Sequence, residues 1–120
     1  MKPRITGYRF GRIKVAKKAF DYDVVIGLGG GVRRRRKKLS SRVYGTSHKL
    51  SLDEARDIYE TGAERLLIGS GYYGNIVLST KAAAYFRRKG CKVVLRPTTK
   101  AAARWNKAKG KVLGLFHVTC

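Results

Sequence analysis

No aspartate or glutamate follows Glu64. Residues 65–120 hold twelve lysines and arginines and no acid, while residues 1–64 hold sixteen cations and all seven acids. This distribution excludes carboxylate-pair hydrolysis built from the second half, because that chemistry needs two acids flanking one bond. Four of the acids, Asp53, Glu54, Asp57 and Glu60, fall in one short segment that a helix explains. Cysteine is scarce as well. Cys91 and Cys120 are far apart and neither belongs to a CxxC pair, so with no secretory signal both are expected as thiols. Long hydrophobic runs are missing: VVIGL and RLLIGS are strand-sized, far short of the roughly 20 residues of a membrane helix. The opening MKPRITGYRFGR has cations but no apolar stretch and does not read as a signal peptide, which makes cytoplasm the expected compartment.

What the chain has in excess is positive charge. Its 120 residues carry a formal net charge of +21. The most conspicuous stretch is GGGVRRRRKKLSSR, where six consecutive cations, Arg33, Arg34, Arg35, Arg36, Lys37 and Lys38, follow a triple glycine, with Arg42 close behind. Removing that run still leaves +15, so the basicity belongs to the whole body. Such a field attracts an acidic partner, either RNA or an acidic protein surface, and the competing reading is a charge that serves solubility alone. Four arginines in a row have no period of two, so neither face of a strand there reads as buriable, and an exposed basic loop is expected over residues 29–42.

At 43% apolar residues the chain reads as a single globular domain spanning residues 1–120. Tyr8 to Val15 reads as extended, with a turn at Lys17-Lys18 and a return strand over Phe20 to Leu28. Arg42 to Thr46 reads as a short strand. Ser51-Leu52-Asp53-Glu54 has capping-box spacing and opens a helix that ends near Gly62. Strands are expected at Leu66 to Ile68, Asn75 to Leu78, Lys92 to Arg96 and Lys111 to Val118. Helices are expected from Ser79 or Thr80 to Lys89 and from Thr98 to about Lys109. Strands alternating with helices predict an α/β fold: a mixed central sheet covered by helices in three layers, with an N-terminal β-hairpin.

Two motifs invite a site. Gly69-Ser70-Gly71-Tyr72-Tyr73-Gly74 matches GxGxxG and follows a strand. A dinucleotide site needs that turn to open a helix, with an acid about 20 residues later, and neither condition is met. A small anion or nucleotide at the loop, walled by Tyr72 and Tyr73, is the more modest alternative, and a plain glycine turn is the bland one. His117 and Cys120 form an HxxC pair with His48 as a third candidate, but metal sites need three or four ligands at fixed geometry. No metal and no cofactor is therefore expected, and no nucleophile elbow marks an enzyme. Trp105 reads as core.

Taken in order, ITGYRFGRIKV, GTSH, LLIGSGYYG, LRPTTKAAARWN and GLFHVTC resemble, over nearly the whole chain, a family of small single-domain α/β proteins of unknown biochemical function. That family includes the adipogenesis-associated domain protein and a mitochondrial respiratory complex I assembly factor of animals. The resemblance implies an α/β/α layering with an attached N-terminal hairpin, no established enzyme activity or cofactor, and an assembly or protein-interaction role. His48 and His117 match histidines of the pattern, with no role attached to them. The basic stretch Arg33 to Ser41 departs from it.

Overall fold

The computed structural model describes residues 2–120. The chain starts with three short strands, β1 (Ile5–Arg9), β2 (Arg12–Val15) and β3 (Lys18–Phe20), joined as an antiparallel meander. In β2 the buried Ile13 and Val15 alternate with exposed Arg12 and Lys14, so the sheet has one dry face. Next come β4 (Val24–Ile26), β5 (Val32–Arg34), α1 (Lys38–Tyr44), β6 (Lys49–Leu50) and α2 (Leu52–Ile58). The remainder is β7 (Arg65–Gly69), β8 (Val77–Leu78), α3 (Thr80–Arg88), β9 (Lys92–Arg96), α4 (Thr98–Lys107) and β10 (Val112–Phe116).

A five-stranded sheet in the order β5-β4-β10-β7-β9 forms the middle layer. β10, β7 and β9 run parallel, while β4 and β5 continue the sheet antiparallel. The sheet is mixed because β4 alone runs against the others: β5 is antiparallel to β4 and so shares the direction of β10, β7 and β9, to which α1 and α2 lead. Period-two alternation divides its side chains between two cores. Leu66, Ile68, Leu113, Leu115 and Val25 pack against α2 and α3 through Ala55, Ile58, Ala82 and Phe86. Leu67, Val112, Phe116, Val24 and Ile26 pack against α4 and the N-terminal meander through Trp105, Ala101, Ile13 and Phe20. The result is the three-layer α/β arrangement that the strand and helix order predicts. Trp105 is fully buried, edge-on to Phe116, and its indole N–H donates to the Pro3 carbonyl at 2.8 Å. Gly114 makes room for it: a Cβ there would lie 2.9 Å from the indole ring.

Local rules place the helices. Ser51 and Ser79 each accept an N–H three residues on, from Glu54 and Ala82, and so cap α2 and α3. Gly90, with φ of +67°, follows Lys89 at the end of α3.

Four local expectations change. A turn at Gly11 (φ +86°) breaks the extended stretch Tyr8 to Val15, the turn expected at Lys17-Lys18 lies one residue earlier at Ala16-Lys17, and the return strand is divided between β3 and β4, which join different sheets. Residues 42–44 belong to helix α1, which ends at Gly45 (φ +72°), and not to a strand. Strand character between Asn75 and Leu78 shrinks to the two residues of β8, paired with β6 outside the main sheet. The largest change concerns the cationic run. Residues 29–42 are not one exposed loop: Val32–Arg34 is an edge strand hydrogen-bonded to β4, and Arg35 is buried with its side chain fully enclosed.

Candidate functional site

The run is pulled inward by two acids from other segments. Asp23, just before β4, accepts from Arg35 Nη1 at 3.0 Å. Glu54, in the first turn of α2, accepts from Arg35 Nε at 2.6 Å and from Nη2 at 2.9 Å. Nη2 also donates to the Ser47 carbonyl at 2.6 Å. The planar guanidinium fork suits this arrangement, since it meets one carboxylate bidentately and keeps a nitrogen for the second. Ser40 from α1 donates to Glu54 as well, which ties α1, α2 and β5 to one buried point. A buried cation is tolerated only when it is paired and hydrogen-bonded in this way.

Asp23 is shared further. Its Oδ2 lies 2.7 Å from His117 Nδ1, and its Oδ1 accepts the Val118 N–H at 3.0 Å. Burial pushes the Asp23 carboxyl up, but the hydrogen bond and charge of His117, the Val118 amide and the Arg35 guanidinium outweigh it and hold the group below its ordinary range. For Arg35, burial works against the charge, and Glu54 with Asp23 more than restores it.

Above this network opens a cavity of about 600 Å³. Asp23, Arg35 and His117 line its inner part, and Arg34, Arg36, Lys37 and Lys38 stand around it with Tyr22. The volume falls within the usual range for ligand pockets. The cations of the run are unequally free. Arg33 and Arg36 both bind Asp57, at 3.0 and 2.8 Å, and Arg34 lies over the Tyr22 ring at 4.7 Å. Arg42 reaches Asp53 at 3.5 Å on the surface. Lys37 and Lys38 are exposed and enter no ion pair among the described residues.

The glycine loop leaves the carboxyl end of β7, where open α/β sheets hold ligands. Four of its amides are spent internally. Ser70 N–H donates to the Arg96 carbonyl, Gly71 N–H to Thr98 Oγ1, Tyr72 N–H to the Thr119 carbonyl and Gly74 N–H to the Gly71 carbonyl. The glycines permit close packing: a Cβ on Gly69 would lie 2.8 Å from the Phe116 ring, and one on Gly71 (φ +106°) 2.5 Å from the Cys120 backbone. What the loop presents outward is aromatic. Tyr72 (43% exposed) and Tyr73 (70%) stand beside Phe10 (52%), with ring centroids 5.1–6.3 Å apart.

A second basic region lies next to this loop. Arg96 ends β9, Pro97 and Thr98 lead into α4, and Lys100, Arg104 and Lys107 follow at i, i+4 and i+7 on one helical face. Together with Ala103 these four cations line one concavity. None of them makes an ion pair among the described residues, in keeping with the absence of acids after Glu64.

His48, His117 and Cys120 meet as well. One donor atom from each lies within 4.8 Å of the others, and the two imidazoles pack edge to face at 5.3 Å. Sequence reasoning names these residues but has no means of bringing His48 to the other two, because the contact depends on the turn after α1 folding over the end of β10.

Residues 5–117 match the model of a family described as a protein of unknown function (DUF498/DUF598), and the chain belongs to that family. It is similar in structure to a conserved hypothetical protein, PH1505, of Pyrococcus horikoshii OT3, with 34% identity, TM-score 0.91, and coverage of 98% of this chain and 99% of that one. MT938 is similar at 30% identity and TM-score 0.84, over 99% and 100% of the two chains. A Mth938-like domain protein of Bordetella pertussis shares the fold at 17% identity and TM-score 0.62, over 97% of this chain and 85% of that one. No curated protein matches the chain.

Proposed function

We propose that this member of the DUF498/DUF598 family is a non-enzymatic interaction domain that binds single-stranded RNA through its basic surface. The phosphates would lie along Arg96, Lys100, Arg104 and Lys107, and the bases would stack on Tyr72, Tyr73 and Phe10. One observation carries the reading: a concavity of four cations without acidic partners among the described residues starts at Arg96, and the loop that carries the exposed Tyr72 and Tyr73 is hydrogen-bonded to Arg96 and Thr98 at the start of α4. Cationic grooves flanked by stacking rings are the common solution for binding single strands without sequence preference. Lys37 and Lys38, with Arg34 at the cavity rim, add a second zone of positive charge. An acidic protein partner, in line with the assembly role of the resembling complex I factor, would use the cations but gain little from the rings.

The test is fluorescence anisotropy with a labelled oligouridine across a salt series. For single strands log K falls with log[salt] by about 0.7 per phosphate contact, so four contacts give a slope of about −2.8. Tyr73→Ala should weaken binding by about 1–3 kcal/mol, the worth of one stacked base. If polyglutamate competes as well as RNA and Tyr73→Ala changes nothing, the partner is an acidic protein and the RNA reading fails. Undetectable binding of both probes at about 150 mM salt would remove the basic-surface reading altogether.

A further inference from the structure

We propose that His48, His117 and Cys120 form a zinc-binding site at the carboxyl end of the parallel strands. The three donors come from two segments far apart in the chain: the turn between α1 and β6, and the residues just after β10. They lie within 4.8 Å of one another, with His48 Nε2 3.9 Å from Cys120 Sγ. Tetrahedral zinc with nitrogen ligands at 2.0–2.1 Å and sulfur at 2.3 Å sets its donors about 3.3–3.6 Å apart. Closing the set therefore needs side-chain movements on the order of an ångström.

The chemistry of the donors is consistent with this assignment. His117 Nδ1 is engaged by the Asp23 carboxylate at 2.7 Å, which leaves Nε2 as the nitrogen free to coordinate. A carboxylate that orients a histidine ligand and raises its basicity is the usual outer partner of a zinc imidazole. Asp23 is itself fixed by Arg35 and the Val118 amide, so the ring is held from behind by buried groups. On the open side the contacts are weak: Thr119 Oγ1 stands 3.4 Å from His117 Nε2, and the thiol–imidazole approach at 3.9 Å binds neither group firmly. His48 and Cys120 are both half-buried, within reach of an ion from solvent. Two imidazoles and a thiolate form a borderline-soft donor set that favours zinc over magnesium or calcium. Three protein ligands is the number found in sites that leave a coordination position for water or a ligand.

The experiment uses untagged full-length protein, stripped with EDTA, dialysed and titrated with Co²⁺ as a spectroscopic probe, followed by displacement with Zn²⁺. The expected result is one ion per chain, a thiolate-to-cobalt charge-transfer band, and loss of that band when Zn²⁺ is added. Proton release should accompany binding, because the thiol must deprotonate. Cys120→Ser should abolish the band and His48→Ala should weaken binding at least tenfold. Cys91→Ser, at a buried cysteine outside the cluster, should leave the band intact. His48 and Cys120 lie outside the buried core, so both variants are expected to stay folded, and circular dichroism checks this directly. The proposal is overturned if no charge-transfer band forms, if the band survives Cys120→Ser, or if it disappears only in Cys91→Ser.

Discussion

The two edges of the central sheet use the same residue types in opposite ways. At the β5 edge, Arg33 and Arg36 are bound to Asp57, and Arg35 is enclosed between Asp23 and Glu54. At the β9 edge, Arg96, Lys100, Arg104 and Lys107 make no ion pair among the described residues and line an open concavity. The denser cluster in the sequence is thus the one most committed to structure, and the sparser one keeps its charge available. What decides the use of a cation here is the position of the seven acids, all of which precede Arg65.

The sharpest way to break this contrast is to remove its buried member. Arg35→Ala leaves Asp23 and Glu54 facing each other in the core, and an uncompensated buried charge costs about 3–5 kcal/mol. Urea unfolding should show a loss of that size, and a change under about 1 kcal/mol would mean that Arg35 is not the internal tie described here. Replacing Arg33 to Lys38 as a block should likewise destabilise the fold, chiefly through Arg35.

Acid should find the same weak point. The Asp23 carboxyl lies below its ordinary value of 3.8 in the folded state. Its contribution is fully present above about pH 4 and is lost as pH falls through the lower folded value, because the unfolded chain takes up the proton first. Chemical denaturation followed from pH 6 to pH 2 should show stability declining over the acid end of that range, and the decline should be shallower in Asp23→Asn. An unchanged profile in that variant would remove Asp23 from the account.

At the other edge the expected effect falls on binding and not on folding. Lys100→Ala, Arg104→Ala and Lys107→Ala combined should change stability by less than about 0.5 kcal/mol for each exposed site. The smallest effect belongs to Lys37→Ala with Lys38→Ala, two exposed positions without ion pairs among the described residues. Their unfolding midpoint should stay with the parent, in contrast to Arg35→Ala two residues away.

The strands and helices after Ser51 are legible because their signals are local. Ser51 and Ser79 cap helices, Gly90 ends one, and the apolar runs around Leu67 and Val94 are buried or half-buried strands. The parallel part of the central sheet, β7, β9 and β10, follows from their alternation, and the edge strand β5 within the arginine run does not. The arginine run misleads because burial of a cation depends on partners elsewhere in the chain. Glu54 shows the difficulty: its N–H makes the capping bond that the motif predicts, but its carboxylate turns away to Arg35 instead of to the Ser51 amide. The Ser51 N–H goes to Ser40 instead. Helix α1 is hidden for a related reason, since Ser40, the one fully buried position it contributes, is polar and gives no apolar period. For the glycine loop, the motif locates the turn at the end of β7 but not the fate of its amides, which depends on Thr98, Arg96 and Thr119.

The most direct test of the contrast between the two edges is the salt dependence of oligouridine affinity, measured in parallel for the Lys100/Arg104/Lys107 alanine variant and the Lys37/Lys38 alanine variant. At about 0.7 per phosphate contact, the first variant should flatten the slope by about 2 and the second by less than that. A larger loss in the Lys37/Lys38 variant, with the α4 variant binding like the parent, would contradict the account.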